Sequence, residues 1–134
     1  MPRQPRVLFI ASDGLTRSIV GGWFEMYGYE ATTACDGAEA AALLRADQDF
    51  AVLIVEAERG GEIDGLAVAK LARNLNPEIG VIYTARAPDS LQKSAMVSEA
   101  LCLRLPHRPE QMLALVKQLS QPSPVRPTDL RRPL

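Results

Sequence analysis

The chain has 134 residues, 47% of them apolar, and sets 15 basic against 16 acidic side chains for a net charge of −1. That length suits one domain with its own core, and the balanced charge offers no general attraction to nucleic acid or to an anionic membrane surface. Two cysteines without CxxC spacing and a single histidine exclude a disulfide framework and a Cys/His zinc site.

No apolar run approaches the ~20 residues of a membrane span, and the basic start MPRQPRVLFIAS has too short an apolar stretch for a signal peptide. A soluble cytoplasmic domain is the expectation. In chain order, the first apolar run is Val7–Ala11, a strand. Leu15, Ile19, Trp23, Met26 and Tyr27 follow at i, i+4, i+8, i+11 and i+12, one face of a helix that Gly28 would stop. A weak strand, Ala31–Ala34, precedes Asp36 and Glu39, whose spacing matches a capping box opening an Ala-rich helix through about Ala46. Ala51–Val55 is apolar on both faces and runs into Glu56, as a central strand of a parallel sheet would. Asp64 can cap a helix carrying Leu66, Ala69, Ala72 and Leu75, ending before Pro77. Ile79–Tyr83 is the fourth strand, continuing to Thr84. Asp89 or Ser90 then opens a short helix with Leu91, Ala95 and Met96. Leu101–Leu103 is the fifth strand, and Pro109 starts a last helix with Met112, Leu113, Val116 and Leu119 facing inward.

Five strands alternating with five helices imply right-handed crossovers and an α/β domain whose parallel sheet is covered on both faces. The domain is expected over residues 5–119. From Ser120 the chain reads SQPSPVRPTDLRRPL, with four prolines in fifteen residues, and is expected to be a disordered tail. In open parallel sheets ligands and chemistry gather at the carboxyl ends of the strands, so Glu56 stands where a reactive carboxylate belongs.

The segments RVLFIASDGLTRS, GYEATTACDGAEAAALL, IDGLAVAKLARNLNPEIGVIYTA and LRLPHRPEQMLALV, with the strand ending at Glu56 between them, resemble the receiver domain of two-component response regulators. The resemblance implies a flavodoxin-like, doubly wound sheet of five parallel strands in the order 2-1-3-4-5. In that family an aspartate ending the third strand takes a phosphoryl group from a phosphohistidine of a sensor kinase. Two acidic residues after the first strand help hold Mg²⁺, a Thr or Ser and a Lys contact the phosphoryl oxygens, and an aromatic in the fifth strand reports the change. The family also implies a cis peptide at Leu105–Pro106.

Carried onto this chain, the phosphoacceptor position holds Glu56. With Arg17 matched to the basic residue of the first helix, the acidic pair falls at Ala11 and Ser12, neither of them acidic. Thr84 keeps its position, Leu105 replaces the lysine, and Cys102 takes the place of the switch aromatic. A register slipped by one residue would instead pair Ser12 with Asp13. Cys102 reads as a small core residue, Arg104 as a surface residue, and His107 as exposed. Glu58, Arg59, Gly60 and Gly61 lie in the loop expected to rim the site.

These replacements imply a stand-alone, degenerate receiver in which Glu56 stands in for phosphoaspartate or is merely a polar strand end. It would act by protein–protein contact, with no cofactor and no enzymatic activity. Expected partners are a sensor kinase, a phosphotransferase or a second copy meeting the face of residues 89–119, where an exposed apolar patch would be the sign. The alternative is a working, Mg²⁺-dependent phosphoacceptor using Asp13 and Glu56. A small α/β enzyme would need a nucleophile, a base and an anion hole, and no set beyond Glu56 and Thr84 offers itself. A ligand-sensing domain would need a closed pocket at the same strand ends.

Overall fold

The computed structural model describes residues 5–57 and 63–120. Five parallel strands, β1 (Arg6–Ile10), β2 (Glu30–Ala34), β3 (Val52–Glu56), β4 (Gly80–Ala85) and β5 (Leu101–Arg104), form one sheet in the order β2-β1-β3-β4-β5. This is the expected flavodoxin-like order. β3 is paired on both sides, Leu53 with Leu8 and with Val81. Its first four residues are buried, which is why its sequence has no polar alternation.

Four helices connect and cover the sheet: α1 (Gly14–Met26), α2 (Gly37–Ala46), α3 (Gly65–Leu75) and α4 (Pro109–Ser120). Side chains on the two faces form two cores. Val7, Phe9, Val52, Ile54 and Ile82 meet Val20 and Phe24 of α1 and Met112 and Val116 of α4. Leu8, Ile10, Leu53, Val55, Val81 and Tyr83 meet Ala40 and Leu44 of α2 and Val68, Ala69 and Ala72 of α3. The start signals operate as the sequence suggests. Asp36 accepts the Glu39 amide at 2.8 Å, while Glu39 reaches back to the Cys35 amide at 2.8 Å. Asp64 accepts the Ala67 amide at 3.0 Å, and Gly28 takes a positive φ of 86° just past α1.

Two expectations fail. The helix sought after Asp89 is replaced by two 3-10 turns, Pro88–Ser90 and Lys93–Ala95, so the sheet has four helices and not five. Leu91, Met96, Val97 and Ala100 all pack against the core, and their spacing does not lie on one helical face. So short a segment also gains too few backbone bonds to offset helix nucleation. The Val97 amide instead donates to the buried Tyr83 hydroxyl at 3.1 Å, and Arg73, which also donates to Ile79 O at 2.7 Å, reaches Ser98 Oγ just beyond the turns at 3.3 Å.

The second failure is the facing of α1. Leu15, Ile19, Met26 and Tyr27 are 70%, 46%, 79% and 56% exposed, whereas Val20 and Phe24 are buried. Trp23 lies at the border, half-buried against the core with the His107 ring edge-on at 6.0 Å. α1 has two apolar stripes, and the sheet takes the narrower one. No helix among the described residues is long and apolar enough to cross a membrane. Ser120, the first residue of the tail expected to be disordered, closes α4 instead; residues 121–134 lie outside the described residues, as do Glu58, Arg59, Gly60 and Gly61 of the loop.

The reversed facing of α1 has a direct consequence. Phe24→Ala is expected to cost about 3–5 kcal/mol, while Leu15→Ala stays within about 0.5 kcal/mol, in urea unfolding.

Candidate functional site

The carboxyl edge of the sheet carries one row of side chains. Ile10 pairs with Val55, so the next residue, Ala11, stands level with Glu56. Glu56 pairs with Thr84, and Thr84 with Leu103. Because side chains alternate along strands, this row shares the face of Val52, Ile54 and Ile82. Ala11 is buried, Thr84 is 2% exposed, and Glu56 is half-buried between them.

Two close approaches define the edge. The Arg17 guanidinium, one turn into α1, donates to the Ala11 carbonyl at 2.6 Å and the Ser12 carbonyl at 3.0 Å. It gathers the chain leaving β1 and spends its donors on backbone. On the far side Gly65, the first residue of α3, lies so near β3 that an added Cβ would meet the Glu56 carbonyl oxygen at 2.1 Å. Only glycine lets α3 begin there, and the position of the Glu56 backbone depends on it. Neither residue was given a structural role in the sequence reading. The signals were a basic residue four positions after a capping aspartate, and a DG pair opening a helix.

The neighbouring charges are committed to helix ends. Asp13 caps α1, accepting the Thr16 amide at 2.8 Å and the Thr16 hydroxyl at 2.7 Å. That hydroxyl, then the amide, holds the Asp13 carboxyl below its ordinary value of 3.8, with Arg17 adding to the effect. Ser12 is exposed and gives its carbonyl to Arg17. Asp36 and Asp64 cap α2 and α3. Three helix N-termini at this edge, natural acceptors of anions, are therefore each occupied by a carboxylate. Among the described residues no three His, Cys, Asp or Glu side chains stand close enough together to hold a metal ion. Beside Glu56, the described side-chain oxygens at the edge are the Ser12 and Thr84 hydroxyls and the capping carboxylate of Asp13, which do not make the oxygen cage a hard cation needs.

Leu105 is half-buried, donates its amide to Ala85 O at 2.9 Å, and is joined to Pro106 by a cis peptide. No ammonium stands at this position. Cys102, expected in the core, is exposed. β5 is the edge strand, and the 3-10 turns in place of a helix leave the outer side of Cys102 uncovered. Partial burial still pushes its thiol up, against the pull of Lys93. Cys35 is also exposed, and desolvation followed by Asp36 and Glu39 pushes its thiol up, so neither cysteine is primed as a nucleophile. Arg104 is a surface residue, 3.7 Å from Asp89 and 3.4 Å from Arg86 O. His107 is half-buried against Trp23 and not exposed.

Two outcomes follow from this geometry. Gly65→Ala is expected to destabilise the domain by about 1–3 kcal/mol and to displace the Glu56 amide resonance, because α3 must retreat from β3. Asp13, whose carboxyl is depressed on folding, stabilises the native state above its unfolded value and loses that contribution as pH falls through the lower folded value. Urea midpoints measured from about pH 6 down to about pH 2 should therefore fall less steeply for Asp13→Asn, which keeps a capping oxygen but cannot titrate.

No family model and no curated protein matches this sequence. Solved structures do match in fold. A response regulator receiver protein from Sinorhizobium medicae superposes with a TM-score of 0.78 at 20% identity, covering 87% of this chain and 94% of its own. The chemotaxis protein CheY4 of Vibrio cholerae gives 0.75 at 23%, covering 87% and 98%. The receiver domain of the hybrid histidine kinase CckA gives 0.72 at 25%, covering 87% and 99%. The chain therefore has the fold of response regulator receiver domains, with four helices where its sequence suggested five.

Proposed function

We propose that this chain is a degenerate receiver that signals by protein–protein contact without conventional aspartyl phosphorylation, and that it needs no cofactor. The observation that carries this reading is the row Ala11–Glu56–Thr84. A buried methyl stands level with the carboxylate at the position where the resemblance puts the phosphoacceptor.

Phosphoryl transfer is almost wholly positioning and charge neutralisation. Among the described residues, an incoming phosphoryl group would meet the Glu56 carboxylate, the neutral Thr84 hydroxyl, and the N-termini of α1, α2 and α3, already capped by Asp13, Asp36 and Asp64. Arg17 is held on Ala11 and Ser12 carbonyls, and Leu105 offers no charge. Glutamate also places its carboxylate one methylene further out than aspartate. A displacement of about 1 Å costs on the order of a hundredfold in rate. The slipped pairing of Ser12 with Asp13 is disfavoured because Asp13 is turned back onto Thr16.

In this reading Glu56 supplies a permanent negative charge where phosphorylation would supply a transient one. The domain's partners are signalling proteins of the kind its structural relatives serve, such as a sensor kinase or a phosphotransferase. Those relatives are a response regulator receiver, a chemotaxis protein and the receiver domain of a hybrid histidine kinase.

Titration with Mg²⁺, with and without beryllium fluoride, followed by amide shifts and Trp23 fluorescence, tests the silence of the site. No response at Glu56 or Thr84 is expected. Saturable shifts there would restore the phosphoacceptor alternative. The charge itself is tested by Glu56→Gln. Amide shifts that extend from the strand end through Thr84 to the 93–97 segment are expected if the charge sets the state of the domain. Shifts confined to the immediate neighbours of Glu56 would leave it a solvated strand end.

A further inference from the structure

The apolar patch expected on the face of residues 89–119 is not there: among the described residues, the exposed large hydrophobic side chains are Leu15, Ile19, Met26 and Tyr27, all on α1 or just beyond it. Leu91, Met96 and Val97 turn inward instead. From this displacement we infer that α1 is a self-association surface, on which a second copy of this chain docks its own α1 antiparallel about a two-fold axis.

Leu15, Ile19, Gly22 and Met26 follow one another at spacings of four, three and four, the repeat of a helix–helix seam. The seam lies on the side of α1 opposite Val20 and Phe24, and no charged residue interrupts it. At about 200 Å² for a large side chain, the exposed fractions of Leu15, Ile19 and Met26 leave on the order of 400 Å² open. A patch of that size matches the largest that a monomer commonly carries, and such patches are often functional. Two copies together would bury about 800 Å² of apolar surface, the scale of a weak interface.

Gly22 is the second observation. Glycine is a poor choice for an exposed helix interior, and no packing within the chain requires it, since an added Cβ would find nothing within 4 Å. Under an antiparallel two-fold centred between Ile19 and Gly22, Leu15 meets the partner's Met26 and Ile19 settles over the partner's Gly22. The missing side chain then has a use: it lets the two helices approach. Ser18 and Glu25 flank the seam on one side, and the same symmetry keeps the two Glu25 carboxylates about nine helical residues apart along the axis, more than one Debye length. The inference does not depend on the state of Glu56.

Sedimentation velocity of the full chain between about 10 μM and 1 mM should show a concentration-dependent passage from monomer to dimer. Ile19→Glu and Gly22→Leu should each weaken it by at least about tenfold. Gly22→Leu is the decisive variant, because the space around position 22 is open and leucine is the better helix former, so it should melt no lower than the wild type. A chain monomeric throughout this range overturns the inference and leaves the stripe to a different protein. Self-association that survives either variant overturns it as well.

Discussion

A parallel strand hydrogen-bonded on both sides can satisfy its backbone only inside a sheet, and it can bury both rows of side chains only if helices cover both faces. β3 is that strand. Its residues Val52 to Val55 are buried on alternate faces and supply both cores. The right-handed crossovers follow from it, and so does the location of Glu56, the first polar residue that a continuous apolar run delivers to the sheet's edge. The edge chemistry is thus a consequence of the core: Gly65 must be glycine because α3 starts against the β3 backbone, and Arg17 is drawn to the carbonyls where β1 leaves the sheet.

Carboxylates and cations share that edge, with Asp13, Asp36 and Asp64 at helix starts and Arg17 on the Ala11 and Ser12 carbonyls. Three of the helices beginning there, α1, α2 and α3, have an aspartate as cap, which stabilises each helix through its orphan amides and dipole. The same arrangement removes the amides as anion receptors. Glu56 adds a further carboxylate, and neither Ala11 nor Leu105 offsets it. Under the proposed reading, a fixed charge at that edge suits a domain whose state is set permanently.

α1 shows how a helix can satisfy its own domain and retain an apolar face. Val20 and Phe24 suffice to anchor it, with Trp23 at the boundary. The remaining stripe does nothing for the fold. Gly22 gives up about 1 kcal/mol of helix propensity relative to alanine without any contact inside the chain that requires it. The segment of residues 88–97, which lacks an α-helix and is held by Tyr83, presents no exposed large hydrophobic side chain.

Strand identity and most helix starts were legible in the residues, because period, capping aspartates and the apolar run into Glu56 are local properties, while the sheet's order came from the family resemblance. The places of Ala11, Glu56 and Thr84 at strand ends could be counted along each run, while the roles given to them rest on the resemblance alone. Three features were not legible. Which stripe of α1 faces the sheet was undecidable from periodicity, because both stripes are apolar and only the shape of the sheet surface selects the one containing Phe24. The fate of residues 88–97 depended on Tyr83, whose hydroxyl lies in another strand. The exposure of Cys102 followed in turn from the missing helix over an edge strand. Local patterning determined what each segment is; only tertiary packing decided which way α1 faces, whether the segment before β5 coils, and what the domain leaves exposed, because those outcomes rest on surfaces built by residues distant in the chain.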